Sequence, residues 1–119
     1  MKYIKTVPEI ELADLQGRKF VDENKNQLKM DLKSFLVNLL SDSKFAEDKL
    51  GSSKLFFIVE IKNQIDKQDF NKEYIELENE QYKAIKQITE NPSTEYDSRL
   101  AYSLLPFIKT ILEASDEKP

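Results

Sequence analysis

The chain has 119 residues, 39% of them hydrophobic and 34% charged, with a net charge of −4; this balance suits one globular domain, not a disordered segment. It contains no cysteine and no histidine, which removes disulfides, thiolate chemistry, the commonest general base and the commonest metal ligand. Two glycines and four prolines leave few tight turns, and an acidic chain without a run of basic residues disfavours a phosphate-binding surface.

The start, Met1-Lys2-Tyr3-Ile4-Lys5-Thr6-Val7-Pro8-Glu9, is positive but has no apolar core of a leader, so no signal peptide is expected. The longest apolar runs, residues 55–59 and 104–108, fall far short of the roughly 20 residues of a membrane span. The triplet Asn91-Pro92-Ser93 is blocked as a glycosylation site by its proline.

Residues 9–13 alternate as Glu-Ile-Glu-Leu-Ala, and Arg18-Lys19-Phe20-Val21 follows Asp14-Leu15-Gln16-Gly17. Two short strands around a turn that ends in glycine predict a β-hairpin over 9–21. A lone hairpin is marginal, so Ile10, Leu12 and Phe20 are expected to lie on helices. Asp22-Glu23-Asn24-Lys25-Asn26-Gln27 imitates the opening of a calcium loop. Its sixth position is Gln27 instead of glycine and its twelfth is Lys33 instead of glutamate, so it is a polar surface turn.

From Asp31 the period becomes helical. Leu32, Phe35, Leu36, Leu39 and Leu40 form one stripe behind an Asp31 cap, predicting a helix over 31–41. A short turn of helix is expected over 44–50, before Gly51. The densest apolar run, Leu55-Phe56-Phe57-Ile58-Val59-Glu60-Ile61, lies within a predicted helix over 53–67. A strand competes, because Phe57, Val59 and Ile61 alternate with Glu60 and Lys62, but Ile65 continues the helical stripe after the alternation fails. At about 100° per residue Leu55, Ile58, Val59, Ile61 and Ile65 share the inward face, with Phe57 at its margin. Phe56 falls on the opposite side. It either packs on a neighbouring loop or contacts another subunit or partner, which makes Phe56, Phe57 and Glu60 the candidate interaction surface.

Tyr74-Ile75-Glu76-Leu77 is a short extended piece leading into a helix over 79–89, capped by Glu78 or Asn79, with Tyr82, Ile85 and Ile88 inward. Asn91-Pro92 ends it. Thr94 and Asp97 have capping-box spacing for a last helix over 95–114. There Leu100, Ala101, Leu104, Leu105, Phe107, Ile108, Ile111 and Leu112 occupy an arc of about 160°. Pro106 lies opposite that arc beside Arg99 and Thr110, where it bends the helix without disrupting its buried face. Residues 115–119 are expected to fray, and no internal repeat is apparent.

Paired carboxylates are the only catalytic option left. Glu76, Glu78 and Glu80 alternate near a helix start, where the helix dipole accounts for them, and Glu60 alone sits among apolar neighbours. No serine lies in a nucleophile elbow, and two glycines cannot build a phosphate loop. A helix-turn-helix over 80–89 and the helix after Thr94 would present Glu95 and Asp97 to the DNA backbone, which repels them.

Taken together, four segments resemble small proteins encoded in tailed-phage and prophage genomes. They are Asp14-Leu15-Gln16-Gly17-Arg18-Lys19-Phe20, Leu32-Lys33-Ser34-Phe35-Leu36-Val37-Asn38-Leu39-Leu40, Ile75-Glu76-Leu77-Glu78-Asn79-Glu80-Gln81-Tyr82 and Ile111-Leu112-Glu113. The chain departs from that pattern in its more apolar central helix and in Pro106. The resemblance implies a non-enzymatic assembly or accessory factor of the host cytoplasm, with no catalytic residues to carry over.

The expectation is therefore a single, mainly α (α+β) domain over 1–119, with about four helices and a small N-terminal antiparallel β-hairpin packed on them. It takes no cofactor and no metal. Its partner is a protein or a second copy of itself, with neither nucleic acid nor membrane involved, and a small helix-turn-helix-like DNA-binding regulator is the alternative.

Overall fold

The computed structural model describes residues 1–42, 52–92, 96 and 98–118. The fold is α+β. Its elements are β1 (Lys2–Lys5), β2 (Ile10–Glu11), β3 (Lys29–Met30), α1 (Leu32–Leu39), α2 (Ser52–Lys67), β4 (Tyr74–Leu77), α3 (Asn79–Glu90) and α4 (Ser98–Leu112). The expected short helix over 44–50 and the Thr94–Asp97 capping box lie outside the described residues.

The apolar periods place one core between helices and sheet. Leu32, Phe35, Leu36 and Leu39 of α1, Ile61 and Ile65 of α2, Tyr82, Ile85 and Ile88 of α3 and Leu104, Phe107 and Ile111 of α4 are all buried. The Phe35 and Phe107 rings stack with centroids 5.2 Å apart, which locks α1 to α4. Asp31 caps α1 by accepting from the Ser34 N–H at 2.8 Å. Glu78 caps α3, its N–H donating to Gln81 Oε1 at 3.4 Å, the return arm of a capping box.

β1 and β4 pair antiparallel with Ile4 opposite Ile75 and Lys2 opposite Leu77. In β4 the period of two buries Ile75 and Leu77 and turns Tyr74 and Glu76 outward. Gln68 Oε1 accepts from the Glu76 N–H at 3.0 Å, closing part of the exposed edge of β4. Residues 115–118 are tied down instead of frayed. Ser115 exchanges two backbone hydrogen bonds with Tyr3, at 2.8 and 3.0 Å, so it acts as a third rung beside β1. Lys2 pairs with Asp116 at 2.6 Å, and Lys118 Nζ sits 5.9 Å from the Tyr74 ring centre.

The predicted hairpin over 9–21 is only part of a larger unit. Its turn exists, and Ala13 bridges Lys19, but the strand paired with Ile10–Glu11 is Lys29–Met30. Three chain passes meet at Leu12, Phe20 and Leu28, eight residues apart. The Phe20 N–H donates to Leu12 O at 3.0 Å, the Leu28 N–H to Phe20 O at 2.8 Å, and the Leu12 N–H to Leu28 O at 2.9 Å. The ring closes on itself. Bridges Ala13–Lys19 and Val21–Gln27 and the β-pair Glu11–Lys29 repeat with the same period.

Two corners of this triangle are matching turns. Asp14 Oδ1 accepts from the Gln16 and Arg18 N–H groups, and Asp22 Oδ1 accepts from Asn24 and Asn26. Gly17 at φ 81° and Lys25 at φ 64° fill the same left-handed position. The third corner is where the chain enters at Ile10 and leaves at Met30. An eight-residue repeat is thus present where the sequence analysis expected none, and the calcium-like Asp22 segment is the expected polar turn.

Candidate functional site

Two of the expected inward faces are rotated. On α2 the buried side is Ile61 and Ile65, flanked by half-buried Phe57 and Ile58 that pack on the core. Leu55 and Val59, expected inside, are about half exposed, at 48% and 45%. Phe56 is 66% exposed, and residues 43–51 of the loop before it lie outside the described residues. Glu60 is exposed beside it. The three residues expected to form an interaction surface are therefore split: Phe56 and Glu60 face solvent with Leu55 and Val59, while Phe57 belongs to the core's margin. The reason is steric. α2 is apolar on both sides, and α1 covers only one of them.

On α4, Thr110 is buried and its hydroxyl donates to Lys5 O, although it was expected outside with Pro106. Leu105 and Leu112 were expected inside and are exposed instead. Tyr102, Leu105, Pro106, Lys109, Leu112 and Glu113 form one continuous outward stripe. Pro106 has no N–H, so the Tyr102 carbonyl lacks its usual helical donor on this side.

This stripe is one wall of an open groove of about 1380 Å³. The opposite wall is Val7, Ile10 and the 14–17 corner of the triangle, with Leu15 at its lip. The floor is fixed where Ser103 Oγ accepts from the Ala13 N–H at 2.9 Å and donates to Ala13 O at 2.7 Å. Leu15 is 70% exposed, Tyr102 61% and Leu105 52%. Sequence reasoning missed this wall, although an arc of about 160° is wider than one packed neighbour can cover.

Charges ring the groove unevenly. Asp14 is held by Arg18 at 2.8 Å and Glu11 lies 3.5 Å from Lys19. Partial burial is the strongest influence on the Asp14 carboxyl and raises its pKa. The Arg18 N–H and guanidinium and the Gln16 N–H together outweigh it, and the net shift is downward. Lys5, Lys109 and Glu113 also line the groove. None of the three makes an ion pair among the described residues.

The Lys62 side chain, with help from Lys33, draws Asp66 down despite partial desolvation, and Lys2 does the same for Asp116. Burial raises the Tyr82 and Tyr96 phenols, whose hydroxyls donate to Ile111 O and Thr89 O. Among the described residues no three Asp or Glu side chains are grouped to hold a metal, and no helix is long and apolar enough to cross a membrane. Comparison with protein-family models, with curated proteins and with solved structures found no match.

Proposed function

We propose that this protein is a non-enzymatic interaction factor that docks a protein through the groove between α4 and the 14–17 corner. The observation that carries the reading is the groove's apolar wall. Tyr102, Leu105, Leu112 and Leu15 stand exposed along the same groove, and contiguous apolar surface of this kind marks contact sites. Its volume of about 1380 Å³ exceeds the roughly 300–1,000 Å³ of a small-molecule pocket, and it is open to solvent. The shifted carboxylates among the described residues, Asp14, Asp66 and Asp116, move downward, whereas acid catalysis needs one raised. The resemblance to small phage and prophage proteins suggests the setting, an assembly or accessory role in a bacterial host cytoplasm. A DNA-reading role draws less support, because the outward stripe of α4 offers one cation, Lys109, among apolar groups.

A photo-crosslinking amino acid placed at Leu105, with Lys86 on the exposed side of α3 as the control position, tests the reading in extracts of a bacterial host. Protein adducts should form at 105 and not at 86. Equal labelling at both positions, or none at 105, rejects it.

A further inference from the structure

Among the described residues two exposed apolar surfaces stand out, the α4 groove and the α2 face of Leu55, Phe56 and Val59. We propose that they fit one another: this chain assembles head to tail, the α2 face of one copy seated in the α4 groove of the next, with Glu60 against Lys109. The proposal rests on the reading of the groove as a protein-docking site and names its occupant.

Charge and spacing both select that occupant. Glu60 lies beside the apolar face of α2 and makes no ion pair among the described residues; Lys109 lies within the groove and makes none either. Phe56 and Glu60 are four residues apart, as are Leu105 and Lys109. Two helices laid parallel with Phe56 over Leu105 therefore bring Glu60 over Lys109 without further adjustment. Laid antiparallel in the same register, Glu60 would meet the Ala101 level and Lys109 the Ser52 level, and the charges would stay unmatched. The lengths also agree. The exposed α2 side chains from Leu55 to Asn63 span about 12 Å, and the α4 stripe from Tyr102 to Glu113 about 16 Å, at about 1.5 Å per residue. The remaining free groove cation, Lys5, adds to the attraction for an acidic neighbour.

Such a contact is heterologous. Each copy offers a different surface to each of two neighbours, so association continues past the dimer or closes as a ring. Both apolar surfaces are then covered by one kind of contact.

The test is sedimentation of the full chain over a concentration series, with Phe56→Ser and Leu105→Ser made separately. Both side chains are exposed, and unchanged melting curves confirm that both variants fold. Wild type should pass beyond twice the 13.9 kDa of one chain as concentration rises, while each variant alone stays at one chain. An equal mixture of the two should form a 1:1 pair and stop there, because one intact face and one intact groove remain between them. Glu60→Lys should weaken wild-type association several-fold, and adding Lys109→Glu to the same chain should restore it. A wild type that stays at one chain, or variants whose mixture does not pair, overturns the head-to-tail proposal. The crosslinking result at Leu105 then still decides whether the groove docks another protein.

Discussion

The Ser103 hydroxyl meets both backbone groups of Ala13, accepting from the N–H at 2.9 Å and donating to the carbonyl at 2.7 Å. These residues are 90 positions apart in the chain, and their contact fastens the three-cornered unit to α4. Replacing Ser103 by alanine strands a half-buried donor and acceptor together, at a cost of about 1–3 kcal/mol. Chemical denaturation should show that loss as a lower midpoint with an unchanged slope. The same variant should weaken docking in the groove, because its two walls are no longer tied.

Gln27 occupies the axis of the triangle. Its Nε2 lies 3.0 Å from Leu12 O and 3.1 Å from both Phe20 O and Leu28 O, while its buried Oε1 has no partner among the described residues. Two amide protons serve three carbonyls, each of which already accepts a backbone N–H. Gln27→Met should cost about 1–2 kcal/mol, since the carbonyls keep their backbone donors. Gln27→Glu should cost more at neutral pH, where a carboxylate faces three carbonyl oxygens. That environment raises the introduced acid's folded pKa above its unfolded value, so the extra penalty should shrink as pH falls and the group protonates. Stability measured between pH 4 and 8 checks the sign.

The positions of the helices were legible because their inward residues recur at the helical period. Leu32, Phe35, Leu36 and Leu39 specify α1 almost unaided. Which side of α2 and α4 turns inward was not legible. α2 is apolar on both sides and α4 carries an apolar arc of about 160° at about 100° per residue, and the choice depends on how many neighbours the rest of the chain supplies. The β1–β4 sheet was equally hidden. Lys2–Lys5 is short and holds a single buried residue, Ile4, and its partner strand begins 69 residues later, at Tyr74. The eight-residue repeat shares only two apolar positions and an aspartate between its first two units, Leu12-Ala13-Asp14 and Phe20-Val21-Asp22, and the third has Met30 where the aspartate would fall. Geometry reveals it because hydrogen bonds repeat where side chains do not.

Acid should loosen the molecule through Asp14, Asp66 and Asp116. Each folded carboxyl titrates below its ordinary value. A depressed carboxylate contributes stability that is complete above the unfolded pKa, near 3.9, and is lost as pH falls through the lower folded value. Melting temperature should therefore decline from about pH 4 downward. Asp116→Asn removes the Lys2 contact at 2.6 Å and should make that decline shallower, with the largest local effect on hydrogen exchange at Tyr3 and Ser115.

The two turns make opposite predictions at one backbone position. Gly17 adopts φ 81° with open space where a Cβ would go, so Gly17→Ala costs only the left-handed strain, about 1 kcal/mol. Lys25 bears that strain already at φ 64°. Lys25→Gly should relieve it and stabilise by a few tenths to about 1 kcal/mol, the lost chain entropy offsetting part of the gain. Thermal melts of both variants distinguish a shared turn geometry from two unrelated loops. Destabilisation by both would reject the equivalence.

α2 offers an internal contrast between core and surface on one helix. Ile61 is fully buried, while Leu55 is 48% exposed. Ile61→Ala leaves a cavity between α2 and its neighbours and should cost about 2–5 kcal/mol. Leu55→Ala should cost about 1 kcal/mol or less, because half its surface already meets water. The comparison must be made at low protein concentration, since any assembly that covers the α2 face stabilises the folded chain by mass action. At high concentration the cost of Leu55→Ala should grow while that of Ile61→Ala changes little. A Leu55→Ala penalty independent of concentration would place that side chain's contribution wholly within one chain.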